Sequence, residues 1–267
     1  MSSKLSNLNT LQLGILAFAG AASLDALSSI VVSAGLLAIP FVTRAVALGV
    51  VIGLLEFCVV AIALIPRVKS LSTDLSSDLV SGRGALLITL LTLILIIGGA
   101  ELIAFGAVLP GSMEIVGAVV GALVYFIKFR SSLPVSRNEL LTSVLTLVAM
   151  VFLAIAGFSG APNVLTTHLG VVSIALMMVA VAALARSYGA SDKVVAALLT
   201  VAAIVFAVSL LVGNGVGIWL SSRAFRFGGA VLAGAVLGIL SGISGVIAGV
   251  VLVIEGLRKV GNLMKGS

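Results

Sequence analysis

The chain is poor in almost everything that aqueous chemistry uses. Its 267 residues include one cysteine, one histidine and one tryptophan, and 9% of them are charged. The lone Cys58 excludes an internal disulfide. The lone His168 excludes haem held by two histidines of this chain. Neither CxxC, CxxCH, HExxH nor a phosphate-binding loop occurs. GxSxG, paired GxGD aspartates and histidine clusters are also missing, so neither an enzyme nor a bound metal or cofactor is expected. Soluble domains carry about 25% charged residues. A deficit of this size cannot be hidden in a water-soluble core, and the mean hydropathy of +1.37 points to lipid as the solvent.

What the chain does have is long apolar runs. Eight are expected to cross the membrane as helices, at residues 11–39, 45–65, 85–109, 115–127, 140–158, 169–185, 194–211 and 227–257. Pro40, Pro66 and Pro110 stand where the first three runs end, the place where a proline costs a helix least. The expected fold is all-α: a polytopic transmembrane helix bundle forming one integral membrane domain. Between the second and third runs, residues 68–82 carry Leu71, Leu75 and Leu79 at four-residue steps among serines and aspartates. That pattern predicts a short amphipathic segment on the inner membrane surface.

The net charge is +6, but the basic residues lie between apolar runs, as membrane flanks do, so nucleic acid is not an expected partner. Twelve of the fifteen lysines and arginines fall in alternate connections and the two tails; the other three are Arg44, Arg223 and Arg226. Cytoplasmic loops are enriched in Lys and Arg, so both termini are expected in the cytoplasm, in a cell membrane of prokaryotic type. The polar start, MSSKLSNLNT, reads as a cytoplasmic end rather than a signal peptide.

The densest pattern lies in the last run. Gly234, Gly238 and Gly242 follow at four-residue steps, and Gly245 and Gly249 continue after a three-residue step. On a helix these five share one face, and a row of glycines lets a second helix approach until backbones touch.

Apart from Glu255, two residues from the end of the last run, three carboxylates fall inside expected spans: Asp25, Glu56 and Glu101. A charged group at membrane depth costs at least ~2.5–3.5 kcal/mol on insertion scales. No Lys, Arg or His lies in those three spans to neutralise them. Counting from the expected outer ends puts Asp25 roughly 22 Å deep, Glu56 roughly 16 Å and Glu101 roughly 13 Å, close to a common level. Groups placed this way can exchange protons or hold a cation. The plainer reading is that they serve as hydrogen-bond partners or subunit contacts. Glu56 and Glu101 also share a motif, since Gly53 and Gly98 each stand three residues before the acid.

Gly213, Gly215 and Gly217 are expected to unwind the end of the seventh run, leaving Trp219 at the outer interface beside the basic patch of Arg223 and Arg226. That patch suits lipid phosphates, a counter-ion role or an acidic partner. His168, at the start of the sixth run, reads as a polar cap or as a group responsive to outside pH. Two roles follow as expectations: a transport or translocation component moving a proton, cation or small solute through its carboxylates, or a non-catalytic accessory subunit of a larger membrane complex. The expected partners are the lipid bilayer and either other membrane subunits or further copies of the chain.

Overall fold

The computed structural model describes residues 10–37, 45–70, 82–130, 135–159, 164–226 and 229–265. These residues form eight helices: α1 Thr10–Leu37, α2 Ala45–Ser70, α3 Gly82–Ala104, α4 Val108–Arg130, α5 Val135–Ser159, α6 Val164–Ser187, α7 Asp192–Ala224 and α8 Gly229–Lys265. Seven are long and apolar enough to cross a membrane, and α2 carries a shorter apolar stretch, Leu48–Ala63. The chain is an all-α, multi-pass integral membrane protein. The amphipathic segment expected at 68–82 falls largely on residues 71–81, outside the described residues, and so does Pro40.

Several helix ends differ from the hydropathy reading, each for a physical reason. The second span does not stop at Pro66; α2 runs through it to Ser70, because proline removes one donor but its fixed φ is itself helical. The third span ends at Ala104, not Leu109. Gly106 adopts φ +88°, its N–H bonds Ile103 O at 2.9 Å, and Ala107 N–H bonds Leu102 O at 2.9 Å. This paired closure, with glycine in the left-handed position, is a strong helix stop. Pro110 therefore lies in the first turn of α4, where its missing N–H would have had no partner. The fourth span is correspondingly longer than 115–127 and takes in Glu114. Nor do the glycines of 213–217 unwind α7, which is continuous to Ala224. In lipid no water competes for the backbone, so glycine is tolerated in a helix interior.

Packing is by small residues. Ala26, Ala149, Ala207 and Ala248 are fully buried, whereas Leu54, Val119, Ile247 and Ile254 are about half exposed. A lipid-solvated bundle sorts its side chains this way, because tails are as apolar as leucine and helices gain most by close backbone approach. Hydroxyls inside the helices bond the carbonyl one turn back, as Thr142 does to Asn138 O, Ser173 to Leu169 O and Thr200 to Ala196 O, each at 2.7 Å.

The helices form two compact units. The first comprises Met1–Leu75 with Leu210–Arg258, and the second Ser76–Ser209 with Lys259–Ser267. In the first, α1 lies antiparallel to α8 along its length. Ser28 Oγ donates to Gly234 O, Ser241 Oγ to Ala21 O and Ser244 Oγ to Ala17 O, each at 2.8 Å. The glycine face of α8 serves two neighbours. A β-carbon on Gly234 would stand 3.1 Å from Val32 N of α1, and one on Gly242 would stand 3.0 Å from Asn214 O of α7. Gly238 lies between Ser28 and Ser221, Gly245 lies against Asn214, and Gly249 is buried. Against the other side of α1, Gly53 of α2 faces Ala26 and Ile30.

In the second unit, α3 to α6 pack in chain order, each against the next. Backbones nearly touch between α3 and α4, where a β-carbon on Gly99 would stand 2.6 Å from Gly111 O. Asn138 at the start of α5 donates to Ile127 O at 3.2 Å and Lys128 O at 3.4 Å, tying it to the end of α4.

Candidate functional site

Besides Glu139, Asp192 and Glu255, which stand apart near the ends of other described spans, four acidic side chains, not three, lie within spans, and they fall into two pairs. In the first unit, Asp25 on α1 and Glu56 on α2 lie within electrostatic reach of each other. The antiparallel contact of Gly53 with Ala26 and Ile30 sets that register. With α1 ending at Leu37, Asp25 is twelve residues from the helix end, roughly 18 Å. Glu56 is eleven residues from Ala45, roughly 16 Å, so these two share a level. Asp25 is exposed on its helix and Glu56 half-buried.

Glu101 does not share that level along its own helix. Because α3 ends at Ala104, Glu101 is three residues from the end, roughly 4.5 Å, where a longer span would have put it about a third of the way through. It belongs to the second unit, and its companion there is Glu114 of α4. Glu114 is the most enclosed of the four at 8% exposure, while Glu101 is half-buried. A β-carbon added to Gly98 would stand 3.1 Å from Glu114 Oε1, so the glycine makes the space that the carboxylate occupies.

Hydropathy alone starts the fourth span at Ile115, one residue past Glu114, and so misses the acid. A signal was present. Gly111-Ser-Met-Glu114 repeats the spacing of Gly53 to Glu56 and Gly98 to Glu101. In all three the glycine seats the neighbouring helix: Gly53 against α1, Gly98 against Glu114 of α4, and Gly111 against Gly99 and Ile103 of α3. Close approach one turn below each acid brings the carboxylates of adjoining helices together.

No described lysine, arginine or histidine pairs with any of the four; the ion pair Arg258–Glu255, at 3.8 Å, is confined to the far end of α8. Two carboxylates in range of each other repel when both are ionised, and a shared proton or an intervening cation relieves that repulsion. Among the described residues no three His, Cys, Asp or Glu side chains gather round one point. Each pair thus offers a two-carboxylate set, suited to a proton or to a cation completing its shell with carbonyls and water.

The basic patch closes the first unit's part of α7. Arg223 stacks on Trp219, its guanidinium carbon 4.0 Å from the ring centroid. Both are exposed, as is Arg226 in the turn that follows. His168 falls in the second turn of α6, and its side chain lies outside the described residues. No family model matches the chain, and neither a curated protein nor a solved structure matches it.

Proposed function

We propose that the protein is a non-enzymatic transport component of the cell membrane, moving a proton or small cation by way of its intramembrane carboxylates. The supporting observation is Glu114. It is buried at 8% exposure against the bare backbone of Gly98, in electrostatic range of Glu101, with no described base beside it. Burying a carboxylate in a lipid-solvated bundle costs several kcal/mol unless a proton, a cation or a hydrogen-bond network meets it. A chain that places two such acids on adjoining helices has a site where a cation or proton relieves that cost.

The test is flux in sealed proteoliposomes carrying a pH-sensitive dye, with imposed H+, Na+ and K+ gradients. Glu114→Gln keeps the shape and hydrogen bonding but cannot ionise. Its flux is expected to fall to that of empty vesicles, while thermal stability changes by less than about 1 kcal/mol. Wild-type flux no greater than empty vesicles under every gradient, or a Glu114→Gln variant that transports normally, would sink the proposal.

A second reading has its own observation. Asp25 is exposed on a helix that otherwise suits lipid. A carboxylate so placed fits a contact with another membrane subunit, in which case Asp25→Asn releases a stoichiometric partner during mild-detergent purification while Glu114→Gln does not.

A further inference from the structure

The end of α7 carries a site that the carboxylate chemistry does not use. The helix is 33 residues long, roughly 48 Å, against a hydrocarbon core of roughly 30 Å. Between Lys193 and Arg223 it has no charged residue. Its apolar length therefore fills the core, and Trp219 to Arg226 stand at headgroup level. Trp219 is 51% exposed and Phe225 44%. The ring of Trp219 holds the Arg223 guanidinium against its face, and Arg226 follows three residues on. Ser222 Oγ donates back to Trp219 O at 2.7 Å.

No aspartate or glutamate occurs anywhere between Asp192 and Glu255, and neither guanidinium has an acidic partner among the described residues. Two forked cations without an acid, flanked by two exposed rings, complement one chemistry. A phosphate takes the guanidinium donors in pairs, and acyl chains take the rings. We infer that Trp219, Arg223 and Arg226 form a binding site for the phosphate headgroup of an anionic phospholipid. Arg223 is held ready by its stacking on Trp219, which lowers the ordering cost of the contact. The site stands whether or not the carboxylates carry ions.

Trp219 is the chain's single tryptophan, so its emission reports this site alone. The full chain is reconstituted in mixed phosphatidylcholine and phosphatidylglycerol vesicles in which one lipid or the other is brominated near the headgroup end of its chains. Quenching is expected to be stronger when the bromine is on the anionic lipid. Arg223→Gln and Arg226→Gln should each lower that preference roughly fivefold, as expected for one basic group near a charged surface. Raising ionic strength on the wild-type protein should lower it as well, which keeps the test independent of how the variants fold. Inorganic phosphate at millimolar level should leave the preference in place; its abolition would assign the site to free phosphate and overturn the lipid. Equal quenching by both brominated lipids, a preference indifferent to salt, or a double variant that retains it would also overturn the inference.

Discussion

At the scale of single residues, this protein is governed by where a side chain is missing. Gly242 is the sharpest case, because Ile218 and the carbonyl of Asn214 occupy the space that its side chain would need. Gly215, on the facing helix, has nothing within 4 Å of its β-carbon position. The two glycines therefore respond in opposite directions to alanine. Gly242→Ala should cost about 1–3 kcal/mol by forcing α7 and α8 apart, whereas Gly215→Ala should gain about 0.5–1 kcal/mol by removing backbone freedom from a helix interior. Thermal unfolding in one detergent compares them directly; equal shifts would mean that α8 does not pack on α7 through Gly242. The same logic frames Glu114, whose carboxylate lies against the bare backbone of Gly98, where a β-carbon would stand 3.1 Å from its Oε1.

At the scale of elements, helix ends decide which acids meet. The turn of Phe105, Gly106 and Ala107 sets Glu101 near the end of α3 and Glu114 near the start of α4. Gly106 holds φ +88°, where a β-carbon costs roughly 1–2 kcal/mol, so Gly106→Ala should destabilise by about that amount. Gly121→Ala, inside α4 with open space around it, should not, and equal unfolding temperatures for the two would remove the turn from its role. The existence of the spans was legible because an apolar run of some twenty residues has no other use in lipid. The α3–α4 boundary was not, because its turn is made of Phe, Gly and Ala and leaves no polar break in the hydropathy. Glu114 was lost with that boundary, and the pairing of Glu101 with it. The glycines of α7 misled in the opposite sense, since a water-based rule about helix breaking was applied inside a membrane. Asp25 and Glu56 come to similar depth because both are counted from the short connection that Pro40 and Arg44 mark in the sequence.

At the scale of the whole molecule, twelve of the fifteen basic residues fall in alternate connections and tails, which predicts both termini on the cytoplasmic side and requires that α2 cross along with the seven longer described helices. Single cysteines introduced at Ala107 and at Tyr188, in a Cys58→Ser background, test this in intact cells. An impermeant thiol reagent should label Ala107→Cys and spare Tyr188→Cys; the reverse pattern would invert the orientation. The alanine-rich interior and leucine-rich surface have a further, thermal consequence. In a water-soluble protein, unfolding wets the apolar core, and the resulting rise in heat capacity bends the stability curve into a dome. Here the small buried residues and the serine-to-carbonyl bonds between α1 and α8 would separate into lipid, while the large apolar side chains are in lipid already. Almost no apolar surface changes from dry to wet. The heat-capacity step is then close to nil, the dependence of stability on temperature close to a straight line, and cooling alone never loosens the fold.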